Sequence, residues 1–284
     1  MNNFEKNITF VIVSFKSNHI IEKCIQSINS NIKIIVVENS NNISVKKYLE
    51  NKFLNVEVII ANDNLGYGKG NNLGISKVNT QYAFILNPDA VLGKNCLNEL
   101  SKAQENLKDD FAILAPNLSI NYGYFTNPKN NFQNEILEVD YVKGFAILIN
   151  LKKVNFDKIF DENFFLFLEE IDLCKRIKDS GGRIFVALNS EIQHSGKQAS
   201  EYSLNIELCR NWHWMWSLFY YNYKHFGILT AYRVTIRKFF SSLFKLFFSL
   251  LLFKKKIFLI HYYRLNGLFN AFLKRPAWLR PDNI

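Results

Sequence analysis

Four short stretches of this sequence hold residue types suited to chemistry. The first is Gly-rich with one cation: Asn64-Leu65-Gly66-Tyr67-Gly68-Lys69-Gly70-Asn71-Asn72-Leu73-Gly74. A dinucleotide fingerprint needs G-x-G-x-x-G after a first strand. Here Gly66 and Gly68 are followed by Asn71, and Gly68 and Gly70 by Leu73, so both registers fail. Backbone amides and Lys69 at a helix start suit an anion, and the same residues also suit a plain turn. The second stretch, Asn87-Pro88-Asp89, puts one carboxylate on a tight turn. Turn chemistry alone explains such an Asp. Yet Mg²⁺ on a diphosphate needs only one or two protein carboxylates, because phosphate and water fill the rest of its shell. The third, Glu169-Glu170-Ile171-Asp172, opens a helix read over 168–180, where acids complement the dipole. The apolar run Phe164–Leu168 precedes it, and Glu170 shares a helical face with Leu173, Cys174 and Ile177. Apolar walls disfavour a charged carboxylate and raise its pKa toward general-base use. The fourth, Gln193-His194-Ser195-Gly196, reads as a loop whose histidine completes a metal site if it meets Asp89.

The elements that must position these residues alternate. Ile8–Phe15 reads as a buried strand, and residues 18–30 repeat apolar positions at helical spacing. Ile32–Val37 is a second strand, followed by a short helix near Ser44–Asn51 and a third strand, Val56–Ala61. A polar loop over 62–70 leads into a helix to about Val78, and Tyr82–Leu86 is a fourth strand that stops at Pro88. Such alternation predicts a mostly parallel sheet covered by helices, with ligands bound beyond the carboxyl ends of the strands. The clusters at 38–41, 62–72 and 87–89 all follow strands and should gather at that edge. Beyond them, Phe111–Ala115, Val139–Asn150 and Arg183–Leu188 read as strands, with a polar stretch from Asn117 to Asn134. From about Ser203 the chain reads as helical.

The 284 residues carry a formal charge of +10, unevenly spread. Residues 205–284 hold 13 Lys/Arg against 2 Asp/Glu, and 21 of the 43 aromatics. Four dispersed cysteines argue against a zinc site and a disulfide scaffold. Glu5 and Lys6 before a short apolar run do not read as a secretory leader. Phe239–Phe253 is apolar except for Lys245 and three serines, and is flanked by Arg237-Lys238 and Lys254-Lys255-Lys256. At 15 residues it is shorter than the roughly 20 that cross a bilayer. Basic clusters around aromatics fit an interfacial helix on an anionic membrane surface. A buried core helix is the alternative, and this much Phe and Leu argues against nucleic acid.

In order along the chain, these stretches resemble the family 2 glycosyltransferases, and within them the rhamnosyltransferase-like branch, over roughly residues 8–225. Val11–Phe15 resembles the opening strand, and Val36-Val37-Glu38-Asn39-Ser40 the VVDNxS segment with Glu in place of Asp. Residues 64–74 resemble NxGFGxGNNxG, and Leu86-Asn87-Pro88-Asp89 resembles LNPD. Residues 160–176 resemble FDExFFxxxEDxDLCxR, with Glu170 where the family has Asp. The resemblance implies an α/β fold of the GT-A type with a C-terminal helical tail. The implied division is a glycosyltransferase domain over 1–227, with a nucleotide-binding half to about 115 and an acceptor half over 116–227, and a tail over 228–284. It implies inverting transfer from a nucleotide-diphospho-sugar to a saccharide or polyprenyl-linked acceptor in cell-surface polysaccharide assembly; the basic, aromatic tail places this at the cytoplasmic face of a membrane. Ser14, Glu38, Asn64, Gly66, Lys69, Asn71, Asn72 and Asn87 would bind the donor. Asp89 and His194 would hold Mg²⁺ or Mn²⁺, and Gly144 would lie near the acceptor. Glu170 is the implied base, with Glu169 and Asp172 as alternatives. A nucleotidyltransferase-like enzyme and a degenerate glycosyltransferase serving membrane assembly are the competing readings.

Overall fold

After a short helix α1 (Asn3–Lys6), β-branched runs form β1 (Ile8–Ser14), β2 (Lys33–Glu38) and β3 (Val56–Ile60), linked by α2 (Ile21–Gln26) and α3 (Ile43–Lys52). Then come α4 (Gly66–Ile75), β4 (Tyr82–Leu86), β5 (Ala90–Leu92) and α5 (Cys96–Leu107). The computed structural model describes residues 3–118, 132–133, 135–196 and 199–284, so most of the polar stretch at 117–134 lies outside the described residues. The sheet is completed by β6 (Ile113–Leu118), β7 (Phe132–Gln133), β8 (Ile136–Glu138), β9 (Ala146–Asn150) and β10 (Ile184–His194), with α6 (Glu169–Asp179) between the last two.

The strand order is β3-β2-β1-β4-β9-β6-β10-β8-β7, with β5 paired to β10. The four strands from β3 to β4 are parallel, and β9 is antiparallel to both β4 and β6. The result is a mixed sheet flanked by helices. Alternate residues of the strands feed two cores. Phe10, Ile12, Phe84 and Leu148 enter one, and Val11, Ile85, Ile147 and Ile149 the other. Both faces are therefore covered, and binding is left to the strand ends.

Several elements differ from the sequence reading. The helix expected over 18–30 is confined to α2, where the Ser27 hydroxyl donates to the Cys24 carbonyl at 2.6 Å and accepts Leu92 N–H at 3.1 Å. The expected loop at 62–70 is helical from Gly66. Glycine is a poor helix former, but here it lets α4 lie close on the sheet: a Cβ on Gly74 would stand 2.4 Å from Val11 Cγ1. The run 139–150 is a strand only over Ala146–Asn150. The strand read at 183–188 is longer and ends on His194, which is therefore strand and not loop. Helix α5 and strand β5 had no counterpart in the sequence reading.

The chain packs as two compact units, 1–161 with 170–201, and 162–169 with 202–284. The division expected at 227 falls inside the second unit. That unit contains α7 (Leu204–Phe226), α8 (Ile228–Leu251), α9 (Lys255–Phe272) and a 3₁₀ turn, Pro281–Asn283. Its core gathers Trp212, Met215, Trp216, Phe219 and Leu268. Trp212 Nε1 donates to Asn266 Oδ1 at 2.7 Å and Trp216 Nε1 to the Arg275 carbonyl at 2.9 Å. His213 Nε2 donates to the Leu279 carbonyl at 2.8 Å, and burial pushes this imidazole down to about 3, so it stays neutral.

Candidate active site

The carboxyl ends of adjacent parallel strands bring the first group together. Ser14 ends β1 and is in register with Glu38, which ends β2. Both are buried. Glu38 Oε1 accepts the Ser40 N–H at 2.7 Å and the Ser40 hydroxyl, which aims the other oxygen, Oε2, away. Asn39 locks this corner. Its N–H donates to the Ser14 carbonyl at 2.7 Å and its Nδ2 to the Gly66 carbonyl at 3.0 Å, fixing the start of α4 beside β1 and β2. Asn64 Oδ1 accepts the Gly66 N–H at 3.1 Å and shapes the same entry. One turn on, Asn71 Nδ2 donates to the Tyr67 carbonyl at 3.0 Å.

The turn after β4 supplies the second group. Asn87 N–H donates to the Phe145 carbonyl at 2.8 Å, and Ala90 N–H to the Asn87 carbonyl at 3.0 Å, closing the turn that holds Asp89. Antiparallel pairing of β5 with β10 sets His194 opposite Ala90. His194 Nε2 then lies 3.2 Å from Asp89 Oδ1, and its ring stacks on Phe145 with centroids 4.6 Å apart. Two residues 105 apart in the chain thus meet, the condition under which His194 was read as a partner of Asp89. Cys24 lies close by, donating to the Asn87 carbonyl at 3.4 Å; burial, aided by the Asp89 charge, pushes its thiol up.

One property unites these residues. Ser14 Oγ, Glu38 Oε2, Asn39 Oδ1, Asn71 Oδ1, Asn87 Oδ1 and Asp89 Oδ2 are buried and, among the described residues, have no hydrogen-bond partner. Each such atom costs about 1–3 kcal/mol. Their concentration at one sheet edge is explained by a polar ligand that satisfies them. Asp89 Oδ2, open beside His194, also fits a divalent cation that takes its remaining ligands from a diphosphate and water. Among the described residues no three His, Cys, Asp or Glu side chains cluster as a full protein-made metal cage.

The acidic helix supplies the third group. A Cβ on Gly144 would meet Glu170 Cβ at 3.3 Å and Tyr67 Oη at 3.4 Å, so only glycine leaves this space open. Tyr67 donates to the Gly144 carbonyl and holds it there. Burial pushes the Glu170 carboxyl above its ordinary range; Lys143 and the backbone N–H groups of Glu170, Ile171 and Gly144 oppose this only partly. A base with a raised pKa that keeps donors for its charged form suits proton abstraction near neutral pH.

Four predicted residues stand apart from this buried group. Asp172, an alternative base, is fully buried, and its Oδ2 accepts Arg176 Nε at 2.8 Å. Arg176 in turn donates to the Ile159 carbonyl and covers Phe156 at 4.6 Å, so this carboxylate is a structural anchor. Asn72, expected on the donor, spends its amide on Phe160: Nδ2 donates to the carbonyl at 2.8 Å and Oδ1 accepts the N–H at 2.9 Å. Lys69 is exposed on α4 and, among the described residues, is not tied to the buried group. Glu169 is buried and belongs with the 162–169 segment of the second unit. Sequence reasoning missed Asn39, Tyr67, Phe145 and Lys143 as parts of the site. Only Asn39, next to Glu38 in the turn, offered a signal.

The mixed sheet with a polar edge at the ends of β1, β2 and β4 defines a protein of the GT-A type. Residues 9–168 match Glycosyl transferase family 2, and the chain belongs to that family. GalNAc-T7, crystallised with UDP, GalNAc and Mn²⁺, is similar in fold with a TM-score of 0.56 at 13% identity, over 66% of this chain and 42% of that one. The chain thus spans about two fifths of GalNAc-T7. S. aureus TarS residues 1–349 match with a TM-score of 0.53 at 12% identity, over 94% of this chain and 92% of that one. The sequence matches no curated protein at a significant level.

Proposed function

We propose that this family 2 glycosyltransferase is an inverting, metal-dependent enzyme. It transfers a sugar from a nucleotide-diphospho-sugar to a saccharide or lipid-linked saccharide at the cytoplasmic face of a membrane; resemblance to the rhamnosyltransferase-like branch favours rhamnose. The observation that carries the reading is the set of six buried, unpartnered polar atoms at the strand ends. Ser14, Glu38 and Asn39 receive the base and ribose, and Asn71 and Asn87 the adjoining diphosphate. Asp89 and His194 would hold the divalent cation, which when bound offsets charge on the departing diphosphate. That GalNAc-T7, similar in fold, was crystallised with UDP, GalNAc and Mn²⁺ supports this reading.

Glu170 accepts the proton of the acceptor hydroxyl on a carboxylate oxygen. That hydroxyl oxygen bonds to the anomeric carbon as the bond from carbon to the diphosphate oxygen breaks. Attack from the face opposite the leaving group inverts the centre. Gly144 leaves room for the acceptor beside Glu170, and Tyr67 keeps the Gly144 backbone in place.

The test is a screen of nucleotide sugars with Mn²⁺, read as release of nucleoside diphosphate with and without saccharide acceptors. Release with UDP- or dTDP-sugars supports the proposal. Release of diphosphate from a nucleoside triphosphate identifies a nucleotidyltransferase. No turnover of any donor identifies a degenerate glycosyltransferase.

A further inference from the structure

Helix α8 is built inside out. At 3.6 residues per turn, Leu229, Ile236, Phe240, Phe244, Phe247 and Leu251 fall within roughly 40° of one line along it. All six are exposed, Phe240, Phe244 and Phe247 by 59%, 62% and 54%. Ala231, Thr235, Ser242 and Ser249 occupy the opposite line and are buried. Thr235 Oγ1 donates to the Ala231 carbonyl at 2.7 Å and Ser249 Oγ to the Leu246 carbonyl at 2.8 Å, so these buried hydroxyls are satisfied within the helix. A helix designed for water turns its large apolar residues inward. Small residues inward and large apolar residues outward is the arrangement of helices that contact lipid.

Charge selects among the surfaces that could cover this stripe. Residues 228–256 hold seven Lys/Arg and no Asp/Glu. Lys256 pairs with Glu207 at 2.9 Å; the other six have no carboxylate partner among the described residues. A second copy would bring the same positive charge, so self-pairing is opposed. An anionic surface is complementary. Among the described residues no helix is long and apolar enough to cross a membrane. The apolar stripe instead extends about 33 Å along one side of α8. It ends at Phe253, which is 94% exposed, beside Lys254 and Lys255.

We propose that α8 lies in the plane of an anionic phospholipid bilayer, with Phe240, Phe244, Phe247 and Leu251 below the headgroups and Arg237, Lys254 and Lys255 at the phosphates. This rests on the membrane-surface reading above and assigns its contact. Flotation of the full chain with phosphatidylcholine vesicles, with and without phosphatidylglycerol, tests it.

The parent should float with phosphatidylglycerol and keep part of its binding at high salt, where charge attraction is screened. The variant Phe240→Gln/Phe244→Gln/Phe247→Gln should bind at least about 100-fold less at every salt concentration. Lys254→Gln/Lys255→Gln should bind about 30-fold less at low salt only. These side chains are exposed, and circular dichroism and nucleotide binding verify that the variants fold. If the parent floats and the phenylalanine variant floats as well, the assignment to α8 is overturned while the membrane reading stands. If the parent ignores anionic vesicles at low salt, both fall. A dimer in sedimentation that the phenylalanine variant dissolves would overturn the proposal in favour of a second copy.

Discussion

Replacing Glu170 with Gln and Asp172 with Asn separates the base from the anchor, because the two carboxylates sit one turn apart or less yet have opposite surroundings. Asp172 is fully buried and paired with Arg176 at 2.8 Å. Neutralising it leaves the Arg176 charge without the carboxylate it pairs with, at a cost of about 3 kcal/mol in stability. For Glu170 the Lys143 charge and backbone N–H donors favour the ionised form less than burial opposes it. Burial disfavours its ionised form, so Glu170→Gln should leave stability equal or higher. Its cost falls on the chemical step: about 10²–10⁴-fold in kcat with little change in donor affinity. The pH profile adds a check. A base works deprotonated, and this one has its pKa raised, so parental activity should fall as pH drops through a value above the ordinary glutamate range. Thermal denaturation, donor titration and initial rates on the two variants make the assay. A stable, inactive Asp172→Asn beside an active Glu170→Gln would refute the reasoning.

Other expectations follow from the same geometry. Asp89→Asn should remove Mn²⁺-dependent nucleotide affinity while leaving the fold intact, because an amide of the same shape lacks the charge; equal Mn²⁺-dependent affinity by calorimetry would contradict it. His213 is neutral when folded and protonates near 6.5 when unfolded. The stability it supports is therefore present above pH 6.5 and is lost as pH falls toward 3, by about 2 kcal/mol between pH 7 and pH 5. His213→Gln should flatten that slope in denaturant titrations. Gly74→Ala should cost about 1–3 kcal/mol, since its Cβ would meet Val11 Cγ1 at 2.4 Å; an unchanged melting temperature would show that α4 yields.

The site-bearing half of the fold was legible because β1, β2 and β4 are buried on both faces over nearly their whole length and so appear as apolar runs ending in polar turns. The meeting of Asp89 and His194 stood in the sequence only as a condition, because the pairing of β5 with β10 that brings them together joins two segments whose strand character was not read. Helix α5 did carry a signal, since Cys96, Leu97, Leu100, Ala103 and Leu107 recur at helical spacing and face the core, but the sequence reading passed from the turn at Asp89 to the strand at Phe111 without using it. The break at Lys143-Gly144 was hidden inside an apolar run, since it is set by Tyr67 and Glu170, which are distant in sequence. Asn72 looked like a ligand contact because nothing local reveals its partner, Phe160. Composition marked the tail as basic and aromatic but not how its aromatics sort: those of α7 line a core, and those of α8 face outward.

The account stands most directly on nucleotide binding at the ends of β1, β2 and β4. Isothermal titration of the full chain with UDP and dTDP, with and without Mn²⁺, measures it. We predict saturable one-to-one binding of at least one of them, strengthened by Mn²⁺ and abolished by removing the buried carboxylate in Glu38→Ala. No binding of either nucleotide at millimolar concentration, or binding that Glu38→Ala leaves unchanged, would contradict it.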